Sequence, residues 1–230
     1  MPLKTYFPTL ISYERFVARM PRILPRLFVL LKWLCAQSQR TGFYIVDSKP
    51  LAVCDNHRIP SNKVFAGVAA RGKSSMAVGR CRWFYGFKAH LVIHQYGQLV
   101  NVVLTPGNVA DNNGNLLTEL LADLKGQCFG DRGYLTKRFA TFYAQGLPIV
   151  TKLRRRMKNV LMPLGDKLNL RRRGLIESVN DLLTSVFDTE HSRHRSVDNA
   201  QVNMLGGLIA YCFYGRKPSI VVPVEKRLYP

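Results

Sequence analysis

Three acidic residues in this 230-residue sequence stand in settings that favour chemistry. Asp47 ends the apolar run FYIVD, Asp131 follows the short run CFG, and Glu177 lies in the basic, amphipathic stretch RRRGLIESVNDLL. Carboxylate oxygens are the ligands that hard divalent cations such as Mg²⁺ prefer. Two such ions about 4 Å apart can activate an attacking oxygen and stabilise a leaving oxygen of a phosphodiester. The three acids together predict a metal site that acts on phosphodiesters.

Each acid also has an ordinary structural explanation. An aspartate at the end of a strand is commonly a turn former or a helix cap. A glutamate in the first turn of a helix is favoured by the helix dipole. Carboxylates that cluster without a cation repel one another, which raises their pKa values. The prediction therefore depends on the three acids acting as a set.

The charge balance indicates a polyanionic partner. The chain has 34 Lys and Arg residues against 14 Asp and Glu, which gives a formal net charge of +20 and a pI near 10.2. So large an excess repels itself unless a polyanion neutralises it, and nucleic acid is the first candidate. A ribosomal or membrane-surface protein is the alternative. The candidate nucleic-acid contacts are Arg71, Lys73, Lys88, Arg132, Lys152, Arg154, Arg155, Arg172, Arg173, Arg193, His194 and Arg195.

The elements that would position the acids follow from periodicity. Phe43–Asp47 is predicted as a buried strand, and residues 83–94 and 98–104 alternate as a hairpin does. Gly126–Asp131 is predicted as a strand, and the acid Glu177 lies on a helix that begins near Leu170. Strands that alternate with helices after an antiparallel hairpin indicate an α/β fold with a mixed sheet.

The remaining segments complete this picture. Asp111 or Asn112 is expected to cap the helix before the strand of Asp131, and Leu135–Gln145 and Pro148–Lys152 are predicted as a helix and a strand. Residues 51–82 lack periodicity, which predicts a basic loop inserted beside Asp47. Within it, GVAARGKS has the letters of a phosphate-binding loop but not the flanking strand and helix that such a loop requires.

The predicted organisation is a helical segment over residues 1–40, a catalytic domain over residues 41–215 and a tail over residues 216–230. Two apolar patterns with Pro21 and Pro25 as breaks predict a helical hairpin at the start. The five cysteines include no Cys-x-x-Cys pair, which favours reduced thiols in the cytosol. The apolar runs at 23–35 and 205–214 are interrupted or short, so we expect buried helices and no membrane partner.

At these residues the chain resembles a known family. The words VDS, YGFKAHLVI, TPGNVAD, FGDRGY, TKLR, KNVLMPLGDKL, RRRGLIESVND and EHSRHRS occur in this order between Tyr6 and Ser219. They resemble the DDE transposases of bacterial insertion sequences, specifically insertion-sequence family 982. The resemblance implies an RNase H-like catalytic domain, two Mg²⁺ ions or Mn²⁺ in their place, and cut-and-paste chemistry on the ends of a mobile element. The catalytic and metal-binding triad then falls on Asp47, Asp131 and Glu177.

The same resemblance implies the partners. These are double-stranded DNA, both terminal inverted repeats and target DNA, and a second copy of the chain when DNA is bound, because two ends must be held together. A bacterial cytoplasmic location, on the nucleoid when DNA is bound, follows from that role. An RNase H-like nuclease and a non-catalytic DNA-binding remnant are the two alternatives.

The chain departs from the family pattern at three positions around the acids. Related transposases often have Tyr-x-x-Arg-x-x-x-Glu-x-x-x-x-x-x-Lys around the third acid. Arg173 matches, but Leu170 replaces the tyrosine and Thr184 replaces the lysine. Lys49 stands where a small hydroxyl residue is common after the Asp-Ser pair. Relatives also usually have a longer helical N-terminal region, so a shortened copy that lacks part of its DNA-end recognition is expected.

Overall fold

The structure is a computed structural model that describes Thr5 and residues 9–75, 81–152, 162–190 and 194–221. Its strands are β1 (Phe43–Cys54), β2 (Ala70–Ser75), β3 (Cys81–His94), β4 (Leu99–Pro106), β5 (Gln127–Phe129) and β6 (Ile149–Val150). Its helices are α1 (Tyr13–Ala36), α2 (Gly114–Leu120), α3 (Phe139–Ala144), α4 (Leu164–Arg172), α5 (Leu175–Ser185) and α6 (Val197–Phe213). Two 3₁₀ turns cover Asn56–Ser61 and Arg132–Tyr134.

The strands form one mixed sheet. β3 pairs antiparallel with β1 along one edge and with β2 and β4 along the other, since Tyr85 and Gly86 pair with both β1 and β2. β5 pairs parallel with β1, and β6 pairs parallel with β5. The α/β fold class with a mixed sheet flanked by helices is therefore confirmed, and it is consistent with an RNase H-like fold.

Alternation along β1 divides the core into two layers. Ile45 faces a layer that includes Leu91 and the apolar sides of α5 and α6, which we call the front face. Tyr44 and Val46 face a layer that includes Val92, α2 and Phe142 of α3, which we call the back face. Because side chains point to opposite sides of a strand in turn, odd-numbered residues of β1 belong to the front face. Asp47 and Lys49 lie on that face.

The N-terminal segment differs from the predicted hairpin. Residues 13–36 form one continuous helix, α1, with Pro21 and Pro25 inside it. The two prolines are four residues apart, so the two missing N–H groups lie on one side of the helix. α1 packs on α6, but only Leu31 and Cys35 are fully buried, and Phe16 and Trp33 are more than half exposed. The expectation of a buried helix is thus confirmed for α6 and wrong for most of α1.

The region predicted as a basic loop is partly strand. β1 continues to Cys54, and Ala70–Ser75 forms β2, which pairs in antiparallel register with residues 81–86 of β3. The letters GVAARGKS therefore lead into a strand and not into a phosphate-binding loop followed by a helix. Sequence periodicity missed β2 because its pairing with β3, and not an apolar alternation of its own, defines it.

Two helix boundaries also differ from expectation. The helix predicted to begin near Leu170 is two helices, α4 and α5, which are separated at Arg173 and Gly174. Glu177 therefore lies in the first turn of α5. The N-cap of α2 is Asn113, whose side chain accepts from two backbone N–H groups at 3.0 and 3.2 Å, so the expected cap at Asp111 or Asn112 is wrong. In the part of the chain that is described, no helix is long and apolar enough to cross a membrane.

Candidate active site between β1 and β5

Asp47 and Asp131 occupy equivalent positions of two neighbouring parallel strands. Asp47 is the fifth residue of β1 and not its last, because the strand continues to Cys54. The last paired residues of β1 and β5 are Ile45 and Phe129, and each aspartate lies two residues farther along its own chain. In neighbouring parallel strands, residues that lie two positions beyond a paired couple point to the same side of the sheet as that couple. The two acids therefore approach each other on the front face.

The carboxylate of Asp131 is oriented by the backbone. Asp131 is the N-cap of the 3₁₀ turn that follows β5, and its Oδ1 atom accepts from the N–H of Gly133 at 2.6 Å. A Cβ atom at position 133 would lie 2.8 Å from that oxygen and 3.4 Å from Oδ2 of Asp111. The glycine in GDRGY therefore lets two carboxylates lie on either side of one turn.

Asp111 is a third acid at this site, and sequence reasoning missed it. It arrives from the loop after β4, and its Oδ1 atom lies 3.1 Å from Nζ of Lys88 and 3.8 Å from Nδ1 of His90. Lys88 also donates to the carbonyl oxygen of Val109 at 3.0 Å, which ties the loop to β3. The signal was available in the words TPGNVAD and YGFKAH, but the acid was interpreted as a helix cap.

The electrostatics of Asp47 show how closely the acids interact. Burial raises the pKa of Asp47 from 3.8 to about 7, and the charges of Asp131 and Asp111 act in the same direction. The Arg173 guanidinium and a hydrogen bond from the backbone of Ser48 oppose this rise in pKa. The same three aspartates add to the effect of burial in raising the pKa of Tyr134. A cation would relieve the cost of ionising Asp47, so the donor set fits a hard divalent ion.

Glu177 lies on the rim of this group. Its side chain is 66% exposed, and its Oε1 atom is 3.7 Å from a guanidinium nitrogen of Arg173. The same Arg173 guanidinium also lowers the pKa of Asp47, so its charge acts on both acids. Within the described ranges, no three His, Cys, Asp or Glu side chains are close enough together to hold a metal ion. The structure thus places Asp131 and Asp111 where their charges act on Asp47, whereas Glu177 pairs with Arg173.

A comparison with family models decides the family. The model described as "Transposase DDE domain" matches residues 37–197, which is more than half of the chain and includes Asp47, Asp131 and Glu177. This chain belongs to the DDE transposase family. No match to it is found among curated proteins or among solved structures.

Two of the predicted DNA contacts of this transposase lie together on β2. Arg71 and Lys73 are exposed and lie over the ring of Trp83, at 5.3 and 5.6 Å from its centroid. The indole holds both cations on the outer side of the strand, where cation–π attraction orders them without removing their charge. β2 therefore presents a stacked basic surface formed by Arg71, Lys73 and Trp83.

The other predicted DNA contacts have varied surroundings. Lys88 is buried, and its ammonium group donates to Asp111 and to the carbonyl oxygen of Val109. Its contact with DNA stays a prediction. Arg172 donates to Asn169 at 2.8 Å, and His194 lines a surface cavity with Arg58 and Lys63. Three of the predicted contacts are exposed, namely Arg132, Lys152 and Arg195. Arg154, Arg155 and Arg193 lie outside the described residues.

Proposed function

We propose that this transposase cleaves the ends of an insertion sequence of family 982 and joins them to target DNA, with Asp47, Asp131 and Glu177 as the catalytic triad. The observation that carries the proposal is the placement of Asp47 and Asp131 at equivalent positions of β1 and β5, with the pKa of Asp47 raised to about 7. An acid held at such a cost is typical of a functional site. Membership of the DDE transposase family supports the same role.

Mg²⁺, or Mn²⁺ in its place, would be held by the three triad carboxylates. Two such ions supply an activated nucleophile and stabilise the leaving oxygen. The residues of the chain prepare this chemistry. The N–H of Gly133 donates to one oxygen of Asp131 and so orients its carboxylate. Arg173 supplies positive charge that opposes the rise in the pKa of Asp47 and also pairs with Glu177.

DNA is the partner that the charge favours. A net charge of +20 binds the phosphate backbone of double-stranded DNA without regard to sequence. The stacked surface of Arg71, Lys73 and Trp83 offers two exposed cations for such contacts. We infer that inverted repeats and target DNA are the substrates, and that two copies of the chain act together, since two ends must be joined in one reaction.

The first test replaces Asp131 by asparagine. The amide oxygen of Asp131→Asn can still accept from the N–H of Gly133, so the turn is kept while the charge is lost. We expect Mg²⁺-dependent nicking of a plasmid that carries the inverted repeats to fall by a factor of at least about 1,000, since metal-assisted catalysis contributes several kcal/mol. Salt-sensitive DNA binding should stay within about twofold, because Lys and Arg make the phosphate contacts.

The control is Asp123→Asn, which makes the same chemical change at an exposed residue beyond the far end of α2. Asp123 has a φ of 58°, a conformation that asparagine adopts readily, so this variant should nick like the wild type. Wild-type nicking by Asp131→Asn would remove Asp131 from the mechanism.

A second assay separates transposase from nuclease. Pre-cleaved repeat ends are incubated with Mg²⁺ and a supercoiled target, and joined products are measured. Joining at the 3′ ends supports the transposase. Nicking without any joined product would favour an RNase H-like nuclease, and DNA binding without either reaction would favour an inactive remnant.

A further inference from the structure

Lys49 makes a contact that connects the strand of Asp47 to the helix of Glu177. Lys49 is 6% exposed and lies on the front face of β1, two residues after Asp47. Its ammonium nitrogen donates to Oγ1 of Thr184 on α5 at 2.5 Å. Thr184 lies two helical turns after Glu177 and on the same side of the helix. The bond joins two elements that are 135 residues apart in sequence.

The hydroxyl of Thr184 is well arranged to receive this ammonium. It donates its own proton to the carbonyl oxygen of Asn180 at 3.0 Å, so a lone pair remains for Lys49. Among the residues that the structure describes, no carboxylate lies within 4 Å of the ammonium group. Burial lowers the pKa of Lys49, while the charges of Glu190 and Asp181 oppose that change. A neutral hydroxyl is thus the direct partner of a buried cation.

The contact connects two of the departures from the family pattern. The resemblance stated above implies a small hydroxyl residue at the position of Lys49 and a lysine at the position of Thr184. Each position therefore has the kind of group that is expected at the other. The two side chains are in contact, so an ammonium group still meets a hydroxyl group. Here the strand supplies the ammonium and the helix supplies the hydroxyl.

We infer that Lys49 is a positioning residue, and that its bond to Thr184 sets the place of Glu177 relative to Asp47. Asp47 and Lys49 are about 6.6 Å apart along one side of β1, since each residue of a strand advances about 3.3 Å. Glu177 and Thr184 are about 10 Å apart along one side of α5. Lys49 and Thr184 are in contact, and Asp47 and Glu177 lie farther along the same strand and the same helix.

Apolar packing alone would leave this arrangement less defined. Ile176, Val179 and Leu183 bury the inner side of α5 against the sheet. Such contacts hold the helix on the sheet but have little directional preference. A hydrogen bond from Lys49 to the single Oγ1 atom of Thr184 adds a directional restraint on the position of the helix along its axis. The inference rests on the proposed function, since Glu177 is a predicted ligand.

The test exchanges the two groups. Lys49→Ser removes the ammonium, Thr184→Lys places a second one opposite it, and the double variant reverses the pair. We expect Mg²⁺-dependent plasmid nicking to fall by about 10- to 100-fold in each single variant, because a misplacement of about 1 Å costs about 100-fold. The double variant should recover to within about threefold of the wild type. Thr184→Ser, which keeps the hydroxyl, should nick normally, whereas Thr184→Val should lose activity as Lys49→Ser does.

Two readouts do not depend on turnover. The first is Mn²⁺ binding to the protein without DNA, measured by the loss of the free-ion magnetic resonance signal. We expect weaker binding in each single variant and recovery in the double variant. The second is the dependence of duplex binding on salt. A residue that only positions α5 leaves the slope of log K against log salt unchanged, whereas loss of one phosphate contact lowers the slope by about 0.9.

The outcomes separate this inference from the proposed function. Wild-type nicking and Mn²⁺ binding by Lys49→Ser, with Asp131→Asn inactive, would overturn the role of Lys49 and leave the triad in place. A lowered salt slope in Lys49→Ser would also overturn it, because the ammonium would then be a DNA contact. Failure of the double variant to recover Mn²⁺ binding or nicking would show that the two positions do not act as a pair. If the wild type does not nick, the proposed function fails, and Mn²⁺ binding still decides the role of Lys49.

Discussion

The two carboxylates that flank Asp131 differ in how their charge is balanced. Asp111 has the Lys88 ammonium at 3.1 Å, and burial lowers the pKa of the adjacent His90 to about 4, so Lys88 supplies the compensating charge. Asp47 has no Lys or Arg nitrogen within 4 Å among the described side chains, and its pKa is raised to about 7. The domain thus neutralises Asp111 internally, and we expect a bound cation to neutralise Asp47.

The largest expected effect on stability tests the state of Asp47. Because its pKa is raised from 3.8 to about 7, the native state holds this proton more tightly than the unfolded state does. Asp47 therefore contributes stability below about pH 4, and that contribution is lost as the pH rises through about 7. We expect the wild type, without metal, to lose a few kcal/mol of unfolding free energy over this range relative to Asp47→Asn.

Urea unfolding at several pH values in the presence of a chelator measures this difference. The comparison with Asp47→Asn is needed because other carboxylates also titrate over the same range. Parallel pH profiles for the two proteins would show that the carboxyl of Asp47 is not buried at a cost. Added Mg²⁺ should reduce the difference, since a bound cation favours the ionised acid.

The next largest effect tests the balance at Asp111. Asp111→Asn leaves the ammonium of Lys88 buried without its counter-charge, since the Lys88 side chain is only 9% exposed. We expect a loss of about 3 kcal/mol of unfolding free energy at neutral pH, as is typical when one partner of a buried pair is removed. The double variant Asp111→Asn with Lys88→Met should be less destabilised than the single one. Equal losses in both would mean that Lys88 is not the counter-charge.

Local patterns were sufficient to predict much of the fold. The alternation of Phe87, Ala89 and Leu91 predicted the hairpin of β3 and β4, which is confirmed. Helical spacing predicts a buried side of α5 made of Leu175, Ile176, Val179, Leu182, Leu183 and Val186. Four of these residues are buried and Leu182 is half-buried, but the prediction is wrong for Val186, which follows the end of α5 and is 56% exposed. Both patterns are short-range, because strand and helix periodicity express which side of an element is buried.

The rest depended on contacts between distant positions. No local pattern indicates that Lys49 reaches Thr184, or that the loop of Asp111 returns to Lys88. The strand β2 was missed for the same reason, since its partner β3 defines it. The acids of the site were each recognisable as acids, but which of them lie together is set by the packing of the sheet. Asp111, which was expected to cap a helix, lies beside the turn of Asp131. Glu177, which was expected to join the two aspartates, pairs with Arg173.

The smallest expected effect concerns Glu177 and sharpens the contrast with Asp111. The pair of Arg173 and Glu177 spans four residues of exposed helix end, with the arginine first, which is the less favourable order. We expect Glu177→Gln to change the unfolding free energy by less than about 0.5 kcal/mol, because exposed ion pairs contribute little. The same variant should lose Mg²⁺-dependent nicking as Asp131→Asn does. Urea unfolding and plasmid nicking on one preparation measure both quantities. A residue that is dispensable for folding but required for cleavage is a ligand or a catalytic group. A large loss of stability with normal nicking would instead show that Glu177 stabilises the helix, and Asp111 would then be the third acid of the site.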